Sequence, residues 1–116
     1  MPLGDLINRA RIAKQLSLRG LAREVDIVPS YLADIENDRR TPSETVLRRI
    51  SAILDLDFDA LMQQAGRLGE EAEHYLRQEK LAGQLFRRVA ETNLDQEGLQ
   101  ELLNKLEQLE EPEDDE

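Results

Sequence analysis

The chain has 116 residues, enough for one small domain with an appendage. It contains no cysteine, which excludes a disulfide framework and a thiolate metal site. No run of 18 apolar residues is present, and residues 1–5 lack the basic and apolar segments of a signal peptide, so we expect a cytoplasmic protein with no membrane contact.

The net charge of −10 belongs to the second part of the chain. Residues 1–69 hold ten Lys or Arg and ten Asp or Glu, whereas residues 70–116 hold five basic and fifteen acidic residues. Since the Debye length at physiological salt is about 8 Å, an acidic segment displaced from a contact surface is largely screened from it. The near-neutral first part is therefore compatible with phosphate binding if its arginines share one face.

Apolar residues at helical spacing predict five short helices within the first 66 residues. The first covers residues 3–15, and the second covers residues 18–25 with Ser17 as its N-cap. Pro29 suits the first turn of a third helix that extends to about residue 37.

The fourth and fifth helices have their own start signals. The segment 41–44, Thr-Pro-Ser-Glu, predicts a capping box with Pro42 at the first helical position. Asp57 is the expected N-cap of the fifth helix, and Gly66 ends the domain.

Residues 67–109 predict further helices that form an interaction region, with Asp95 as a cap. Their apolar stripe can pack in a homodimer, fold back on the first domain or bind another protein, and we expect a homodimer because symmetric pairing is the commonest assembly. The candidate interface residues are Leu85, Val89, Leu99, Leu102, Leu103 and Leu106. Residues 110–116 are acidic and are expected to be disordered.

The second and third predicted helices are joined by only three residues, which is the shape of a helix-turn-helix. In such a pair, the second helix enters the major groove of duplex DNA. The sequences SLRGLAREV at residues 17–25 and YLADIENDRRTPS at residues 31–43 resemble the XRE family, which includes the lambdoid phage repressors and Cro proteins. The resemblance covers residues 3–66 without a gap. It implies an all-α fold, a five-helix lambda-repressor-like domain followed by additional helices.

The resemblance implies that bases are read from the start and exposed face of the third helix. A hydroxyl there can bond a base edge, a tyrosine can meet a phosphate or a thymine methyl group, and a carboxylate can accept from a cytosine amino group. The corresponding residues are Pro29, Ser30, Tyr31, Ala33 and Asp34. The simpler alternatives are that Pro29 and Ser30 only start the helix and that Asp34 is solvated.

Phosphate contacts are implied for the loop after the third helix and for the start of the second. The candidates are Arg19, Asn37, Arg39 and Arg40. Such contacts fix register and affinity rather than sequence preference. The alternative is a solvated turn, because paired arginines are common on protein surfaces.

The resemblance also implies a buried ion pair between Arg11 and Glu36, where a surface pair would contribute under about 1 kcal/mol. Three positions depart from the family pattern. Asp26 replaces the usual turn Gly, Val28 replaces a capping Ser or Thr, and Leu18 replaces a Gln that often touches phosphate.

Nothing in the sequence indicates catalysis, a metal or a cofactor. His74 is the one histidine, and neither a phosphate-binding glycine loop nor a nucleophile elbow is present. We therefore expect a homodimeric, nucleoid-associated repressor that binds a two-fold symmetric operator. The alternative is an adaptor or antitoxin whose acidic, leucine-rich half binds a toxin or a peptidase.

Overall fold

The computed structural model describes residues 1–110, and every regular element in that range is a helix. The helices are α1 Leu3–Ala13, α2 Leu18–Glu24, α3 Pro29–Glu36, α4 Glu44–Leu54, α5 Phe58–Gln64, α6 Glu70–Gln78, α7 Lys80–Thr92 and α8 Gln96–Glu110. The all-α prediction is confirmed. The acidic tail predicted for residues 110–116 lies outside the described residues except for Glu110, which ends α8.

The chain packs as two compact units, of which the first is Met1–His74 and the second begins at Tyr75. The first unit has a single apolar core because α1 to α5 each turn apolar residues inward at helical spacing. Complete burial of one such side chain stabilises the fold by about 1.5–3 kcal/mol. The core residues are Leu3, Ile7, Leu21, Ala22, Val25, Leu32, Ile35, Val46, Leu47, Ile50, Leu54 and Leu61.

Side-chain caps start three helices of the first unit. Ser17 Oγ accepts from the Gly20 N–H at 2.9 Å, and Asp57 Oδ1 accepts from the Asp59 N–H at 3.1 Å. Both caps were predicted from the sequence and are confirmed.

The capping box predicted for residues 41–44 is wrong. Ser43 is the N-cap of α4 and its Oγ accepts from the Val46 N–H at 3.2 Å, so Pro42 precedes the cap instead of opening the helix. Glu44 consequently occupies the first helical position, where its Oε2 accepts from Arg48 Nη2 at 3.0 Å.

Two of the residues that depart from the family pattern, Asp26 and Val28, lie in the turn between α2 and α3. Asp26 has φ 60°, a left-handed conformation that Asp tolerates better than most residues. Val28 is the N-cap of α3 and makes no side-chain hydrogen bond there, as its apolar side chain dictates. Pro29 is the first residue of α3, where its missing N–H leaves no donor unsatisfied.

The second unit contains α7 and α8, which are separated at Asn93 in a left-handed conformation. Asp95 Oδ1 accepts from the Gly98 N–H at 2.9 Å, so the predicted cap is present. Up to Glu110, no side chain of either helix is buried. None of the helices described is long and apolar enough to cross a membrane.

Candidate nucleic-acid interface

The two faces of α3 have opposite character. Leu32 and Ile35 are fully buried against the core and fix the helix on the domain. On the other face, Ser30 is exposed, and Ala33 and Asp34 are partly exposed. Pro29 and Tyr31 are also partly exposed. The candidate base-reading residues therefore lie at the start and along the accessible side of one short helix.

The end of α3 is fixed by an ion pair with α1. Arg11 Nε donates to Glu36 Oε2 at 2.7 Å and Arg11 Nη2 donates to Glu36 Oε1 at 3.1 Å. The side chains are only 13% and 7% exposed, so this is the buried arrangement rather than a surface pair. The hydrogen bond to Glu36 raises the pKa of Arg11 above its ordinary value, which outweighs the opposing effect of burial.

Sequence reasoning missed two further partners of this ion pair. Asn8 Nδ2 donates to Glu36 Oε1 at 2.8 Å, and Arg11 Nη1 donates to the Leu16 carbonyl oxygen at 2.9 Å. The Arg11 guanidinium thereby joins α1, the loop before α2 and the end of α3. Since a buried charge is costly without partners, these bonds make the position of α3 specific.

A second contact between α1 and α3 depends on Gly4. Its N–H donates to Asp38 Oδ1 at 3.0 Å, just beyond the end of α3. A Cβ atom at Gly4 would lie 2.8 Å from the Ile35 carbonyl oxygen and would also meet the Glu36 carbonyl oxygen. Only glycine allows this close approach, and no periodic pattern in the sequence marks it.

The loop that follows α3 brings two arginines to its exposed side. Arg39 Nη1 lies 3.8 Å from Asp34 Oδ1, and the Arg39 side chain is 73% exposed. The guanidinium carbon of Arg40 lies 4.5 Å from the centroid of the Tyr31 ring. The structure therefore places both phosphate candidates beside candidate base-reading residues.

Two other phosphate candidates have less definite surroundings. Asn37 is exposed and its Nδ2 donates to the Ala33 carbonyl oxygen at 2.9 Å, so the amide stays close to the α3 face. Arg19 is exposed in the first turn of α2. Arg49 of α4 was not among the candidates, and its Nη1 donates to the Val25 carbonyl oxygen at 3.2 Å, next to the turn.

The candidate interface residues lie in the second unit, on α7 and α8. Val89 and Leu102 are partly exposed, whereas Leu85, Leu99, Leu103 and Leu106 are exposed. His74 is exposed at the end of the first unit. Among residues 1–110, no group of three His, Asp or Glu side chains could hold a metal ion.

Comparison with known proteins identifies a domain family and several relatives of this chain. A family model described as a helix-turn-helix domain matches residues 4–67. The ImmF control region 10 kDa protein of Bacillus phage phi105 is 39% identical over 59 residues, which are 51% of this chain and 66% of that protein. The immunity repressor protein of the same phage is 33% identical over 81 residues, which are 69% of this chain and 56% of that protein.

The crystal structure of SinR, a master regulator for biofilm formation, in complex with DNA is 36% identical with a TM-score of 0.48, covering 52% of this chain and 97% of the SinR chain. The chain spans 66% and 56% of the lengths of the two phage relatives. The family match covers more than half of the chain and includes the whole α2–α3 pair. The chain therefore belongs to the XRE-like helix-turn-helix domain family.

Proposed function

We propose that this protein is a sequence-specific transcriptional regulator that binds duplex DNA through α3, and that it acts as a homodimeric repressor at a two-fold symmetric operator. The observation that carries the proposal is the gathering of Arg39 and Arg40 beside the accessible face of α3. In this arrangement, cationic side chains flank a helix whose exposed residues can reach base edges. It requires no catalytic group, and we place the protein in the cytoplasm on the nucleoid.

The chemistry of the side chains assigns them to two kinds of contact with DNA. Arg39, Arg40, Asn37 and Arg19 contact phosphates and provide salt-dependent affinity. Ser30 and Asp34 on α3 contact the bases, and the Asp34 carboxylate accepts from a cytosine amino group. Because Arg39 lies beside Asp34, its charge offsets the repulsion between that carboxylate and the DNA backbone.

Repression is supported by the relative named as an immunity repressor protein. A regulator that occupies an operator needs only a DNA-binding domain and a means of pairing. We assign these roles to residues 1–66 and 67–109 respectively.

The dimer proposal rests on the second unit. Its helices bury no side chain among the residues described, yet Leu85, Phe86 and Leu103 are each more than half exposed. Apolar residues exposed on helices that bury no side chain need another surface to cover them. A second copy presents the same apolar face, so a symmetric contact covers both at once.

The acidic charge of the same region favours a second candidate function. A partner with an apolar face and basic flanks, such as a toxin or a peptidase, would cover the leucines and complement the carboxylates. In this adaptor or antitoxin function, the second unit binds a different protein instead of a second copy.

The experiment is selection of bound duplexes from a random library, followed by salt-dependent affinity measurements on the enriched sequence. We expect a two-fold symmetric motif with half-sites about one helical turn apart. The Arg39→Ala, Arg40→Ala double variant should weaken binding to all duplexes and reduce the salt slope by about 0.9 for each phosphate that the protein no longer neutralises.

The Arg87→Ala, Arg88→Ala variant is the matched control, since it removes two exposed adjacent arginines from α7 and changes the net charge equally. It should retain wild-type affinity and slope. A folded wild-type protein that enriches no motif, and whose weak binding vanishes with salt, would support the adaptor function instead.

A further inference from the structure

Arg40 stacks on the ring of Tyr31, with 4.5 Å between the guanidinium carbon and the ring centroid. We propose that Tyr31 is a positioning residue that holds Arg40 ready for a DNA phosphate, and that it acts through Arg40 rather than through a base contact of its own. The inference rests on the proposed function and assigns Tyr31 a role within it.

The Tyr31 ring is suited to be a fixed platform. It is partly buried and packs against the apolar core of the first unit. Its main chain belongs to the first turn of α3, where the Tyr31 N–H donates to the Val28 carbonyl oxygen at 3.0 Å. The domain therefore holds both the main chain and the ring of Tyr31 in place.

Arg40, in contrast, belongs to the loop after α3 and is exposed. Within residues 1–110, no carboxylate lies within ion-pair distance of it, and the group that it stacks on is the Tyr31 ring. A free arginine samples many rotamers, and that freedom is lost when it binds an anion. The stack removes part of this freedom before DNA arrives.

The contact with Tyr31 leaves Arg40 able to bind phosphate. A guanidinium carries five N–H donors, and a bidentate phosphate contact uses only two of them. Contact with one aromatic ring therefore leaves donors for a phosphate. The neighbouring Arg39 differs, because its Nη1 lies 3.8 Å from Asp34 Oδ1 and its charge is partly balanced by that carboxylate.

The test is a double-mutant cycle in which the affinity for a DNA duplex is measured over a range of salt concentrations. Tyr31→Leu should weaken binding about 2- to 5-fold per bound protomer, the effect appropriate to an exposed cation–π contact. In an Arg40→Ala background, Tyr31→Leu should have no further effect. Tyr31→Phe keeps the ring, so this variant should bind duplex DNA within about twofold of the wild-type affinity.

The Arg48–Phe58 pair provides a matched control. Its guanidinium carbon lies 4.2 Å from the ring centroid, and Phe58 also packs against the core. Phe58→Leu thus removes a comparable ring at a comparable cost in packing, from α5 instead of α3. It should leave DNA affinity unchanged.

Two outcomes would overturn the inference while leaving the proposed function intact. One is equal weakening by Tyr31→Phe and Tyr31→Leu, which would assign the effect to the hydroxyl group. The other is an undiminished effect of Tyr31→Leu in the Arg40→Ala background. Failure of the wild-type chain to bind any duplex would instead overturn the proposed function and this inference with it.

A second measurement covers the case in which Tyr31→Leu does not fold. In the wild-type protein without DNA, the ring current of Tyr31 should shift the Arg40 side-chain proton resonances upfield, and Tyr31→Phe should preserve the shift. Resonances at random-coil positions would contradict the stack and the inference built on it.

Discussion

Gly4 of α1 lies directly against the main-chain carbonyl group of Glu36, the last residue of α3. The two helices meet backbone to backbone at this point, next to the hydrogen bond that the Gly4 N–H donates to Asp38. The position of α3 on its domain therefore depends on a residue that has no side chain.

We expect Gly4→Ala to destabilise the first unit by about 1–3 kcal/mol, because the new methyl group meets main-chain atoms that cannot rotate away. Urea denaturation followed by circular dichroism measures the change. Gly83→Ala is the control, since a Cβ at Gly83 meets only the flexible end of Arg87 at 3.6 Å and should be neutral or stabilising. Equal stability of Gly4→Ala and wild type would show that α1 and α3 can separate without cost.

Removal of Arg11 should have a larger effect. Arg11→Ala leaves the Glu36 carboxylate, which is only 7% exposed, without its counterion, and the expected destabilisation is about 3–5 kcal/mol. The Arg11→Met, Glu36→Leu double variant should recover much of that stability because it removes both charges. A double variant no more stable than Arg11→Ala would contradict the view that the unpaired carboxylate causes the loss.

The raised pKa of Arg11 sets the pH dependence of this effect. A group whose pKa is raised on folding contributes stability that is complete below its unfolded pKa and is lost only as the pH rises through the folded value. Both values lie far above neutrality, so the Arg11→Ala penalty should stay constant between about pH 6 and pH 9. A penalty that falls steadily across this range would contradict the assignment.

The missing cap of α3 can be restored. Val28 is 63% exposed and makes no capping bond, so Val28→Thr loses little packing and supplies an acceptor for the first turn. We expect a gain of about 1 kcal/mol, seen as a higher urea midpoint. Val28→Ala shortens the side chain without adding an acceptor and should show no such gain.

The proposed dimer interface can be tested by introducing a charge on α8. Leu103→Glu should shift the protein toward monomer in sedimentation equilibrium, because a carboxylate at a dry contact costs several kcal/mol unless it is paired. Its affinity for a two-site operator should fall, while affinity for a single half-site remains. Gln108→Glu adds the same charge at an exposed position of the same helix and should remain dimeric. A wild-type chain that is monomeric at all concentrations would favour the adaptor function.

The fold was largely predictable because its determinants are local. Apolar spacing indicated the helices of the first 66 residues, and Ser17, Asp57 and Asp95 each marked a start through an acceptor next to the first free N–H groups. The error at α4 has a local reason too. Thr41 and Ser43 are both capping residues two positions apart, and only the backbone geometry decides between them.

The site was less predictable because it depends on segments that are distant in the sequence. The Arg11–Glu36 pair was expected only from resemblance, and neither the Gly4–Glu36 contact nor the Tyr31–Arg40 stack has a periodic signal. Each of these contacts forms only once the core has set the angles between helices. Their energies are therefore properties of the folded domain rather than of any short segment.

The absence of buried side chains in α7 and α8, as far as Glu110, also sets how fast these helices open. Amide protons there should exchange with solvent through local opening of low free energy, whereas those of α3 and α4 wait for rarer opening of the core. If a second copy covers the apolar face, exchange in the second unit slows as the protein concentration rises and exchange in the first unit does not. The stability of the first unit against opening would then depend on its sequence alone. The stability of the second unit would also depend on the concentration of the protein in the cell.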